Sequence, residues 1–177
     1  MRRVWPLITS GTGLPFRVLI RRQLSIRFDV APVPVYVAQS NEHLGNGWDL
    51  FSDAMKVLQL HGSLWLQRMP RLVKRMMLLD TVDTSAFYLA DRCCCINPWN
   101  VRRHVRDTSA AAIVLAGLMV HSLCAAHLLS KRRPYSARTR RRLALKANIR
   151  FLNRCLNESW HIEVEAAMNA LSSYCDQ

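Results

Sequence analysis

The stretch from Thr108 to Ser130, TSAAAIVLAGLMVHSLCAAHLLS, holds no charged residue in 23 positions. At 1.5 Å per residue, a helix of about 20 residues reaches about 30 Å, the thickness of a bilayer's hydrocarbon core. Arg102, Arg103 and Arg106 precede the run and Lys131, Arg132 and Arg133 follow it, as interfacial anchors do. Against a span stand the polar His121, Ser122 and His127, and an aromatic flank limited to Trp99 and Tyr135. Positive charge at both ends also sets no orientation. The other outcome is a central helix buried among neighbours, where Ala and Gly permit close packing. The run is therefore expected to be one apolar helix over residues 109–130, either membrane-crossing or enclosed. An interhelical His121 is the ordinary expectation, and a haem or metal ligand there the rare one.

Helical patterning extends to both sides. Ahead of the run, Gly45-Asn46-Gly47 reads as a turn, after which Phe51, Ala54, Met55 and Leu58 recur at 3–4 spacing until Gly62. Pro70 suits the first turn of a helix to Leu79. Thr81 or Asp83 is placed to cap another that reaches Cys93-Cys94-Cys95 before Asn97-Pro98 stops it. A break is expected at Asp107-Thr108. After Pro134, Ser136 caps a helix over 136–156, and Asn157 or Ser159 caps a last one to Tyr174. Almost nothing reads as a strand. The expected fold is all-α, an irregular bundle of six or seven helices over residues 48–177. It follows an extended segment at 25–47, where the prolines of Ala31-Pro32-Val33-Pro34-Val35-Tyr36-Val37 disfavour helix and fit a strip laid across a partner.

The helix at 136–156 carries the second signal. Arg138, Arg142, Lys146, Arg150 and Arg154 recur at a strict spacing of four, with Arg140 and Arg141 alongside. Like charges four apart repel mildly. Five without an interposed acid point to an external anion, either RNA backbone or anionic lipid such as cardiolipin, both well matched by arginine forks. Leu145, Ile149, Leu152 and Leu156 are expected to dock this helix on the protein. A solvated face paired with Glu158, Glu163 and Glu165 is the plainer alternative. The stripe contains no aromatic, which argues for duplex RNA or lipid over single-strand stacking.

The full chain has 177 residues and a net charge of +13, from 25 basic and 12 acidic residues. Half of it is hydrophobic, which excludes a disordered chain. The first 28 residues hold six arginines and no acid, with hydroxyl and apolar residues interleaved. This composition resembles a mitochondrial transit peptide over residues 1–24, and Arg22-Gln23-Leu24-Ser25 resembles a presequence cleavage site. Without residues 1–24 the remainder keeps 20 basic against 12 acidic residues, +8, so the basic character does not reduce to targeting.

Six cysteines, at 93, 94, 95, 124, 155 and 175, form neither a CxxC nor a twin CX9C pattern, and are expected as free, buried thiols. Glu158 and His161 have the ExxH spacing of di-iron bundles but lack the companion ligands. Asn157-Glu158-Ser159 is a formal sequon, and Gly11-Thr12-Gly13 is too short for a phosphate loop. No catalytic constellation, metal site, cofactor site or small-molecule substrate is expected. The sequence therefore points to a non-catalytic accessory subunit of a mitochondrial inner-membrane complex, in the respiratory chain or the ATP synthase. The alternative is a mitochondrial ribosomal protein in the matrix, binding rRNA through Arg138, Arg142, Lys146, Arg150 and Arg154.

Overall fold

Cys93-Cys94-Cys95-Ile96 is a β-strand rather than the end of a helix, and it changes the fold class. The computed structural model describes residues 24–27, 30–38, 44–79, 85–88, 92–131 and 135–155. These are mostly helical, with five helices and one five-stranded sheet. The strands are β1 (Leu24–Arg27), β2 (Val35–Ala38), β3 (Arg75–Leu78), β4 (Ser85–Tyr88) and β5 (Cys93–Ile96). The helices are α1 (Leu44–His61), α2 (Ser63–Leu72), α3 (Pro98–His104), α4 (Thr108–Leu129) and α5 (Ala137–Cys155). The expectation of an all-α chain is corrected accordingly to a mostly helical chain with a sheet, and five helices, against the six or seven expected, are found among the described residues. The expected last helix to Tyr174, the targeting segment up to residue 23 and the Thr81/Asp83 cap lie outside the described residues.

The sheet order is β1-β2-β3-β5-β4. The inner strands β2, β3 and β5 run parallel, with β1 and β4 antiparallel at the edges. Parallel strands covered on both faces are continuously apolar. That explains why Met76-Met77-Leu78 and the cysteine run carry no alternation and were open to a helical reading. The register sets Val35, Met76, Cys94 and Phe87 in one row across four strands. All four are buried in the main core, and Val37, Leu78 and Ile96 repeat the pattern one step on. The Pro-Val segment is thus extended as expected over Val35–Val37, which belong to β2 inside the sheet. Its prolines precede the strand, so the amide ladder is intact.

Several local signals resolve differently from their reading. Gly45-Asn46-Gly47 is helical, because α1 begins at Leu44. A Cβ on Gly47 would come within 2.4 Å of the Trp99 ring, so the glycine serves close packing of α1 against α3. Pro70 lies within α2, near its end, and the chain then extends through Val73 into β3. Arg92, with φ +45°, closes that turn by donating to the carbonyls of Arg71 and Leu72. Asn97-Pro98 starts a helix. The Asn97 Oδ1 accepts the Asn100 N–H at 2.9 Å, and proline is well suited to the first turn.

The uncharged run is α4, capped by Asp107, whose Oδ1 accepts the Ala110 N–H at 2.7 Å. The helix is long and apolar enough to cross a membrane, yet 83% of its most apolar window is buried within the chain. It packs on β4, β5, α1, α2, α3 and α5. A helix enclosed on every side is apolar all round, so burial accounts for the absence of charge. Ile113, Leu118 and Leu123, which would form the outer belt of a span, are 5%, 7% and 0% exposed.

Candidate functional site

Helix α5 begins where Ser136 accepts the Thr139 N–H through its hydroxyl at 3.2 Å, as the sequence predicts. Arg140 adds a bond to the Tyr135 carbonyl across the same turn. The packed face is Ala144, Asn148, Phe151 and Leu152, not the expected Leu145–Ile149 row. Leu145 and Ile149 are 38% and 46% exposed. The reason lies on α4. Gly117 has no side chain, and a Cβ there would meet Asn148 Oδ1 at 2.4 Å and Leu152 Cδ2 at 2.9 Å. The missing side chain lets Asn148 and Leu152 come up against α4, and Leu145 and Ile149 face outward.

All five stripe residues, Arg138, Arg142, Lys146, Arg150 and Arg154, are exposed. Steps of four residues advance about 6 Å along the axis and turn about 40° around it, since 3.6 residues complete a turn. From Arg138 to Arg154 the charges therefore climb about 24 Å and sweep about 160° of the surface. Lys146 sits at the middle of the exposed sector and the two end arginines at its margins. The stripe crosses the outer face diagonally; it does not lie along one line of it.

No carboxylate answers it among the described residues, whose acids are Asp49, Asp53 and Asp107. Asp107 caps α4 and Asp53 pairs with Lys56 at 2.8 Å, the single ion pair among them. Glu158, Glu163 and Glu165, the partners considered from sequence, lie outside the described residues, as do His161 and the Asn157 sequon. Among the described residues the field over α5 is therefore of one sign, the condition that draws anions.

A second feature escaped the sequence reading. Trp65 of α2 packs onto the cluster of Cys124, Ala125, Leu128 and Ala144, which Leu143 and Ala147 of α5 also join. The Arg68 guanidinium stands 5.9 Å from the Trp65 ring centroid. The signal was present as an aromatic and an arginine three apart on a helix, but their nearness to the stripe is a tertiary fact. His127 of α4 closes this edge. Its imidazole is held below its ordinary pKa by burial, then by Lys131 and Arg68. At neutral pH it is a neutral hydrogen-bonding group among cations.

The remaining chemistry-bearing groups are embedded. His121 lies mostly buried, and burial with the charge of Arg141 brings its pKa down to about 4. Burial, reinforced by Cys93, pushes the Cys94 thiol up to about 12, which a hydroxyl contact from Ser122 opposes only in part. Cys95 is held far above the usual thiol range by its contact with Cys93 and by burial. Such thiols are protonated and inert at neutral pH. A hollow of about 240 Å³ beside Asp49, Leu50, Asp53, Arg102 and Thr108 holds mixed charge. Among the described residues no three His, Cys, Asp or Glu side chains are grouped to hold a metal ion. In comparisons with known proteins, no family model, no curated protein and no solved structure matches this chain.

Proposed function

We propose that this protein is a non-catalytic RNA-binding component of a larger assembly, gripping phosphates through α5. The observation that carries the reading is the diagonal stripe of five exposed cations without facing carboxylates among the described residues. Its steps of about 6 Å suit a succession of phosphates, and its sweep of about 160° suits a strand that wraps. A planar lipid surface meets only part of such a sweep at one time. The arginine-rich start, which resembles a transit peptide, supports placing the assembly in the mitochondrial matrix; a ribosomal particle is the fitting context. Strand β1 begins at Leu24, where the resemblance to a targeting segment ends.

The reading as an inner-membrane accessory subunit drew on the uncharged run, and burial of α4 supplies a sufficient cause for that run. What favours it now is Leu145 and Ile149, exposed beside Arg138, Arg141 and Arg142 as in helices that lie at a headgroup surface.

Titration of the full chain with labelled RNA across a salt series separates the two. Five phosphate contacts give a log–log salt slope of roughly −3.5 on a single strand. Replacing Arg142, Lys146 and Arg150 together with glutamine is expected to reduce that slope by roughly 2. Absence of binding at low salt, or a slope indifferent to the triple substitution, overturns the RNA reading. Sedimentation with cardiolipin-containing vesicles but not with neutral ones, in the absence of RNA binding, favours the membrane-surface reading.

A further inference from the structure

We infer that the α5 stripe continues onto an aromatic step at Trp65 and Arg68, and that together they select single-stranded RNA over duplex by stacking a base. The inference rests on the RNA reading above and adds the form of RNA bound. Trp65 is half-buried, held from within by its packing on Cys124, Leu128 and Ala144. Leu143 and Ala147 pack on the same cluster and lie on the edge of α5 that continues one turn later into Arg150 and then Arg154. The stripe thus passes beside the part of α5, Leu143 to Ala147, that shares a cluster with the indole.

Arg68 is the side chain held over that indole, at 5.9 Å, a distance at which cation–π attraction is weak when exposed. A base stacks on an aromatic ring more strongly than this, and the displaced guanidinium is then free to meet a phosphate. His127 and Lys131 stand at the end of α4 that follows Cys124 and Leu128, and His127 lies within electrostatic reach of both Lys131 and Arg68. They supply a further cation and a neutral imidazole able to donate to or accept from a base edge. Duplex RNA keeps its bases paired and inside, so it gains phosphate contacts from the stripe but nothing from Trp65. Alone, α5 buries its one aromatic, Phe151, and its exposed face carries no such preference; the packing of α2 against α4 provides it.

The test compares a labelled 12-nucleotide single strand of mixed sequence with a duplex of equal length, both titrated with the full chain. Trp65→Leu is expected to weaken single-strand binding about tenfold while changing duplex binding less than about twofold. Trp65→Phe keeps the packing and a stacking ring, so it is expected to retain single-strand affinity while losing most of the strand-induced quenching of tryptophan emission. Equal losses on both probes, or quenching undiminished in Trp65→Phe, overturn the stacking step. If the wild-type chain binds both probes through the stripe with no preference, the stacking step falls and the RNA reading stands. If neither probe binds, both fall.

Discussion

Helices α4 and α5 lie against each other and are opposites in composition. The first has no charge in 22 residues and is enclosed by sheet and helices alike; the second carries cations at every fourth position and buries one narrow face. Each pattern follows from its surroundings. α4 is buried along most of its length and reaches the surface mainly at its first residues and at His121, His127 and Leu129, whereas α5 sets Ala144, Asn148, Phe151 and Leu152 on α4 and leaves most of the rest outward. Apolarity along a whole helix thus measures how many neighbours it has, and a bilayer is one way among several to supply them.

The contrast is sharpest in core truncation. Leu115→Ala or Met119→Ala, at fully buried sites on α4, is expected to cost about 2–5 kcal/mol in urea denaturation. Ile149→Ala on α5 should change stability by less than about 0.5 kcal/mol. Similar losses for both would mean that α5 is covered on its outer face as well.

His121 tests the one point where the charge of α5 reaches into α4. Its pKa is about 4 when folded and near 6.5 when unfolded, so the unfolded chain takes up the proton first as pH falls. The stability due to the neutral imidazole is complete above about pH 6.5. It declines between that pH and about 4, by roughly 3 kcal/mol in all. Melting across this window should reveal the decline, and His121→Asn should remove it. A flat profile in the parent chain would place His121 in water.

Smaller effects probe the contact itself. Gly117→Ala forces Asn148 and Leu152 back and is expected to destabilise by about 1–3 kcal/mol, visible as a lower denaturation midpoint. Loss of the α4 cap in Asp107→Ala should cost about 1 kcal/mol, and Ser136→Ala at the exposed start of α5 no more than that. A larger cost at Ser136 would make α5 the helix on which folding depends.

Both of these helices were legible in the sequence because their ends carry local chemistry. Ser136 is a side-chain cap that acts within three residues as read, and Asp107, read as a break in the helical pattern, marks that break by capping the helix after it. The sheet was not legible, because its inner strands are four residues long and two of them, β3 and β5, are buried on both faces. Met76-Met77-Leu78 and the three cysteines offer neither alternation nor length to distinguish strand from helix. Asn97-Pro98 has one local meaning as a terminator and another as an initiator, and only the strand before it decides. Of the candidate site, the stripe was readable as spacing and is exposed throughout. Of the expected docking row on α5, Leu152 docks and Leu145 and Ile149 do not; the rest of the docking face was not readable, since the approach is set by a glycine on another helix. Trp65 was invisible as part of the surface for the same reason: its position beside α5 comes from packing across 60 residues and more of chain.

The order of α4 and α5 along the chain has a kinetic consequence. Whether the protein emerges from a ribosome or through a translocation pore, Thr108–Leu129 arrives before Ala137–Cys155, the helix that packs on it most extensively. During that interval the growing chain displays 22 uncharged residues with one flank uncovered, the signal that membrane-insertion machinery recognises. The docking of α5 is a race against insertion and aggregation. Gly117, by letting α5 seat closely and at once, shortens it.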